Sequence, residues 1–424
     1  MFGGNRSAEI DRAWKQRFRP AQTPGPTHRY TCGSCPRVMH WSGEGSPPDR
    51  MTTEDDALPP ADVRRSLLHR LDLPLWTLAM PPLGLLTVLL SLYKMGAAGT
   101  IGATIVLFGC VLAAVHHAEV VAHRVGEPFG TLVLAIAVTV IEVSLIVSLM
   151  LSDAGDASAL ARDTVFAAIM IILNGIIGLC LLVGGVRHGE QRFTLRGVSA
   201  ALCTLAALAV LTLVLPNYTL TTPGPYYATS QLVLVAVVSL LLYGVFVMVQ
   251  TLRHREYFLP EHGDEDGHAA MPTRATTTVA FGTLLVALVA VVLLAKALSQ
   301  TVEEAVLGAG LPLAVVGVVI AALVLAPESL AAYRAAARNR IQTSLNLALG
   351  SALATIGLTI PAVAIVSLVL DLPLALGLSA MKIILLALSL FIATISLGTG
   401  RTTVLQGAVH LVIFAVYLFT TVVP

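Results

Sequence analysis

From Pro74 to the C-terminus the chain is a succession of apolar stretches, each near the ~20 residues a helix needs to cross a bilayer, with short polar breaks between them. They fall at about 74–92, 98–117, 128–151, 164–185, 197–216, 230–252, 277–298, 305–328, 343–370, 373–396 and 402–423. In lipid, backbone polar groups must be satisfied within the span, which leaves helices or closed barrels. These runs are unbroken and lack apolar/polar alternation, so a barrel is excluded. The expected fold is an all-α polytopic membrane protein with about 11 transmembrane helices. Composition agrees: 12% of residues are charged, against about 25% in soluble domains. A net charge of +1 supplies no field to recruit nucleic acid. The bilayer is the expected partner.

Residues 1–73 are different material, rich in Arg, Pro, Gly and Ser up to Arg50 and without an apolar signal region. They read as a loosely ordered extension, with Met51 a candidate native start. Cys32 and Cys35, with His28 and His40 nearby, have zinc-ligand chemistry but little folded support, so no structural metal is expected there. Cys110, Cys180 and Cys203 lie in apolar spans and read as buried small hydrophobes.

Arginine placement orients the bundle. Arg64, Arg65 and Arg70 precede the first span, and Arg124, Arg187, Arg192, Arg196, Arg253, Arg255, Arg274, Arg334, Arg338, Arg340 and Arg401 fill the even-numbered breaks. The odd-numbered breaks hold only Lys94, Arg162 and Lys296. The positive-inside rule then puts the N-terminus in the cytoplasm and the C-terminus outside.

Two stretches resemble one another. Glu119, Gly126, Glu127 and Pro128 lead through an apolar run to Ile141-Glu142, and Glu303, Glu304, Gly310 and Pro312 lead through another to Pro327-Glu328. The copies divide the chain into an extra helix (74–97), a first repeat (98–252), a cytoplasmic loop (253–276) and a second repeat (277–424). With five helices per repeat, an odd number, the halves enter the membrane from opposite sides. This inverted plan is common in secondary transporters, with the site near the midplane at the repeat interface.

A carboxylate inside a span costs about 2.5–3.5 kcal/mol on insertion scales and marks function by default. Glu142 sits about 20 Å from its helix start at 1.5 Å per residue. Glu328 falls at the inner end of its apolar run, where snorkelling to water is the competing account. Pro327 and the repeat favour function, since Pro breaks the preceding turn and frees carbonyl groups; Gly350 is a second helix-breaking candidate. Asn174, Ser351, Thr355 and Thr139 are the supporting ligands; small hydroxyls also serve close helix packing. His116, His117, Glu119, His123 and Glu127, with Glu303 and Glu304 on the other side, are candidates for access vestibules or pH sensing, or simply solvated helix ends. Glu261, Asp264, Glu265 and Asp266 form an acidic loop that reads as linker, since its spacing matches no EF-hand. His410 has no evident partner. No catalytic set stands out, so neither an enzyme nor a cofactor is expected, and a channel would want repeated pore-lining elements.

The segment from Ala326 through Ser351 to Pro361 resembles the second α-repeat of the calcium/cation antiporter superfamily, and within it the bacterial ChaA-type calcium or sodium:proton antiporters. Gly126 through Glu142 to Asn174, and Arg253 to Pro260, resemble the same branch. The resemblance implies a multi-pass protein of the bacterial inner membrane that exchanges Ca2+, or Na+ or K+, for H+. It implies that Glu142 and Glu328 bind the cation and take up protons, supported by Asn174, Ser351 and Thr355. Val138 to Ile141 and Leu325 to Pro327 replace the amide-bearing motifs of the plant and fungal exchangers, which leaves ion identity open between calcium and sodium or potassium.

Overall fold

The computed structural model describes residues 73–91, 97–126, 129–151, 157–258 and 272–423. The 1–72 extension with Cys32, Cys35, His28, His40 and Met51, together with Glu127, the acidic loop from Glu261 to Asp266 and the side chain of Glu303, lies outside the described residues.

Among the described residues the chain forms eleven helical rods: α1 Leu75–Ser91, α2 Ala97–Val125, α3 Phe129–Met150, α4 Leu160–His188, α5 Leu195–Tyr218, α6 Thr229–Arg253, α7 Arg274–Gly308, α8 Ala314–Ala337, α9 Ile341–Leu370, α10 Ala380–Leu397 and α11 Val404–Val422. Nine rods are long and apolar enough to cross a membrane, and α1 and α3 carry shorter apolar cores. The expected order holds.

Three boundaries move, each for a local reason. The span expected at 305–328 is α8, Ala314–Ala337. Residues up to Gly308 extend α7, which ends with Gly310 in the left-handed region (φ 71) and the Leu311 N–H bonded to the Val306 carbonyl, a Schellman stop followed by Pro312. Glu328 therefore lies well inside α8 and not at its end. The helix also continues through Pro327, and α9 continues through Gly350, so neither residue breaks its helix.

The span expected to start at 373 begins at Ala380. Asp371 in the left-handed region (φ 54) ends α9, and the extended chain after it bonds neighbouring elements, Ala375 N–H to the Ser158 carbonyl just before α4 and Leu378 N–H to the Leu213 carbonyl of α5. Finally, α2 runs on to Val125, so His116, His117, Glu119 and His123 belong to its last turns and not to a break.

The buried side chains form two clusters. One gathers α4, α5, α6, α9, α10 and α11 around residues such as Phe166, Leu205 and Leu353. The other gathers α2 and α7 around Val111 and Val291, with Met80 of α1 packed against it. Apart from Leu160 at the start of α4, which joins the second, only α3 and α8 among the described helices contribute to both: Ile146 and Leu325 face the first, Ile141 and Leu323 the second. The two Glu-bearing helices thus lie between the two packed groups.

Candidate functional site

Glu142 and Glu328 line a single cavity of about 170 Å³. Its walls are the first and middle turns of α3 (Leu134, Thr139, Glu142), the end of α6 (Tyr243, Gln250), Glu328 of α8 and the first half of α9 (Asn346, Gly350, Ser351, Thr355). Four of the sequence-predicted supports, Thr139, Ser351, Thr355 and Gly350, are therefore brought together with both carboxylates.

The two acids are held differently. Glu142 is 2% exposed, and its Oε2 accepts a hydrogen bond from the Thr359 hydroxyl at 2.7 Å. Glu328 is partly buried, and its Oε2 is sealed from solvent without a hydrogen-bond partner. A buried polar oxygen left unpaired is costly, so this atom calls for a proton or a cation. Pro327 adds to the local polarity because it has no N–H for the carbonyl one turn back. Thr139 turns its own hydroxyl hydrogen to the Ala135 carbonyl at 2.8 Å, which leaves only lone pairs of that oxygen for a cation.

The local helix geometry explains the meeting of Thr359 with Glu142. Residues Thr355–Thr359 form a π turn within α9, as Ile171–Ile176 do within α4. One extra residue per turn rotates the C-terminal remainder of the helix relative to a straight α-helix, and such turns recur at functional sites. Gly357 makes room there, since a Cβ would come 2.6 Å from Tyr243 Cβ.

Asn174 is placed elsewhere. It is fully buried on the α4 π turn, but its Nδ2 donates to Ser389 Oγ at 2.8 Å and its Oδ1 lies 3.1 Å from His410 Nδ1. His410 Nε2 is in turn 2.8 Å from Ser396 Oγ, so the histidine without an evident partner has two. The amide is satisfied by α10 and α11 and does not line the cavity. Sequence reasoning also missed Thr359, Asn346 and Gln250. Asn346 sits in a segment legible as a polar face of α9, whereas nothing in Gly357-Leu358-Thr359 singles out one hydroxyl among many.

The remaining candidates lie around the site. His117 is fully buried, with Nε2 donating to the Thr77 carbonyl of α1 at 3.2 Å, and its ring neighbours that of His116. Glu119 and His123 are exposed on α2, and Glu304 is exposed near the end of α7. Cys110 and Cys180 are buried as expected; Cys203 is exposed on the outer side of α5, where an apolar thiol suits lipid as well as a core. Outside the cavity, Asp163 at the start of α4 pairs with Arg162 at 2.9 Å and Lys382 of α10 at 2.7 Å.

The family of sodium/calcium exchanger proteins matches residues 95–252 and 279–423. The chain belongs to that family. This agrees with the resemblance carried by the α-repeat residues. The protein y4hA of Sinorhizobium fredii is 55% identical over 321 residues, covering 75% of this chain and 87% of its own. The sodium-potassium/proton antiporter ChaA of Escherichia coli is 38% identical over 323 residues, again 75% and 87%. The crystal structure of the H+/Ca2+ exchanger CAX superposes with a TM-score of 0.64 over 81% of this chain and 88% of that one, at 16% identity, and so shares its fold.

Proposed function

We propose that the protein is a secondary-active cation:proton antiporter, and that its cargo is Ca2+ exported in exchange for H+. The observation that carries this reading is the pair of carboxylates from α3 and α8 on one buried cavity. Two ionised carboxylates neutralise one divalent ion, and two protonated ones leave no uncompensated charge when the site reorients. Burial disfavours a charged carboxyl and a bound cation favours it, so ion and proton compete for the same groups. That competition couples the two fluxes.

The donor set suits the cargo. Calcium takes six to eight oxygens, and the two carboxylates, the Thr139, Ser351 and Thr355 hydroxyls and the Asn346 and Gln250 amides supply enough around one space. Sodium or potassium is the second reading, favoured by the 38% identical relative named as a sodium-potassium/proton antiporter.

In this reading residues 98–252 and 277–424 are inverted halves, which the Glu of α3 and α8 and the π turns of α4 and α9 support. The protein sits in a bacterial inner membrane with its N-terminus in the cytoplasm. The cavity reaches Gln250, three residues before Arg253, which supports an opening toward the Arg-rich side that this reading assigns to the cytoplasm. Alternating access follows from movement of the α1, α2 and α7 group against the rest, with α3 and α8 between them.

The test is cation-evoked collapse of ΔpH in everted vesicles, with calcium, sodium, potassium and magnesium compared. Calcium is expected to collapse the gradient, and Glu142→Gln and Glu328→Gln to abolish the response. A response to sodium or potassium alone moves the cargo to the second reading; full activity in either Gln variant removes the site.

A further inference from the structure

Threonines inside these helices follow a common habit: Thr87, Thr104, Thr204, Thr212, Thr251 and Thr283 each donate to the carbonyl four residues back. Such back-bonding is the ordinary use of a hydroxyl in an apolar helix. Thr359 departs from it. Its hydroxyl crosses from α9 to Glu142 Oε2 on α3, at 2.7 Å, in a fully buried setting.

We propose that Thr359 is a positioning residue for Glu142, fixing the orientation of its carboxylate on the cavity wall. The inference rests on the antiport reading above. The hydroxyl fixes one of the two carboxylate oxygens, which limits how the other approaches the ion. Glu328 has no such donor on its sealed Oε2, so the hydroxyl makes the two acids of one cavity unequal.

The surroundings leave this role to Thr359. Glu328 of α8 and Tyr243 of α6 are the titratable residues that line the cavity with Glu142. On the other elements packed against α3, the titratable and charged groups with described side chains are Cys110, His116, His117, Glu119, His123 and Arg124 of α2, Arg274, Lys296 and Glu304 of α7, Tyr333 and Arg334 of α8, and Arg162, Asp163, Cys180, Arg187 and His188 of α4; none lines the cavity. The α9 helix brings hydroxyls and the amides of Gln342 and Asn346 but no charge.

The experiment is the cation-concentration dependence of cation:proton exchange in everted vesicles, at one fixed pH, for Thr359→Val, Thr359→Ser and Thr359→Ala. Val keeps the shape and loses the hydroxyl; Ser keeps the hydroxyl and loses the methyl. In Val and Ala the half-saturating cation concentration is expected to rise about tenfold, the worth of one hydrogen bond to a charged group, while the maximal rate is kept. Ser retains the wild-type profile. Val behaving as wild type while Ser fails means a packing role and overturns the proposal, as does a profile unmoved in all three. If Val is not recovered in the membrane, the contrast of Ala with Ser decides. Absence of exchange in the wild type with any cation would instead count against the antiport reading.

Discussion

Asn174 Oδ1 and His410 Nδ1 lie 3.1 Å apart, both fully buried, joining the π turn of α4 to α11. An amide oxygen only accepts, so the imidazole donates from Nδ1 and its Nε2 accepts from the Ser396 hydroxyl at 2.8 Å. The Asn174 amide hydrogen goes to Ser389, whose own hydroxyl goes to the Leu385 carbonyl. The chain is complete with a neutral histidine, and complete polar networks specify helix packing.

The first prediction rests on that closure. Replacing Asn174 by Ala strands the His410 Nδ1–H, while the Ser389 hydroxyl keeps its bond to the Leu385 carbonyl, at a cost of about 1–3 kcal/mol. Thermal unfolding in detergent should show a lowered Tm, while the half-saturating cation concentration of the protein that remains folded stays as in wild type. A selective loss of cation affinity at unchanged Tm would return Asn174 to the ligand set.

The fate of Asn174 also shows where the sequence stops being legible. Helix number and order follow from apolar length, and Glu142 and Glu328 stand out because a carboxylate in lipid must be explained. Which neighbours face them depends on helix rotation. The π turns at Ile171–Ile176 and Thr355–Thr359 alter that rotation, one accompanying the outward turn of Asn174 toward α10 and α11 and the other the approach of Thr359 to Glu142. No residue pattern announces a π turn. The boundary of α8 is hidden for a simpler reason: apolar residues on both sides of Gly310 and Pro312 blur into a single run.

A second prediction concerns proton stoichiometry. If both acids exchange their protons for one divalent ion, apparent cation affinity rises with pH as the protons released, a hundredfold per unit for two and tenfold for one. Cation titrations of the purified protein across the pH range in which affinity changes give the slope. A slope of two is expected for calcium, and a slope near zero would mean that protons and ions do not share the carboxylates.

A third addresses the ion cluster at the start of α4. Asp163 is held by Arg162 and Lys382, and Arg162 also donates to the Gly377 carbonyl at 2.8 Å, so the cluster ties α4 to α10 and to the extended chain before it. Removing one partner of a buried ion pair costs about 3–5 kcal/mol; the remaining arginine should bring Lys382→Met to about 3 kcal/mol or less. The loss is measurable as a lowered midpoint in thermal unfolding. Lys382→Arg should restore most of it, since charge rather than shape carries the contact.

The last prediction uses two glycines of α9 that differ in what a side chain would meet. A Cβ on Gly350 encounters nothing within 4 Å and points into space shared with Glu142 and Glu328, whereas a Cβ on Gly357 would press to 2.6 Å from Tyr243 Cβ. Gly350→Leu should therefore leave the fold intact and fill part of the cavity of about 170 Å³, blocking exchange by occupying the space of the ion. The smaller Gly350→Ala should keep measurable exchange and, because Ala favours helix over Gly, gain about 1 kcal/mol of stability. Gly357→Ala should do the opposite, lowering Tm by forcing α9 away from α6, at a cost of about 1–3 kcal/mol for overpacking. Exchange assays and thermal unfolding on the same preparations separate the two effects. Full exchange in Gly350→Leu would mean that the ion does not pass through this cavity.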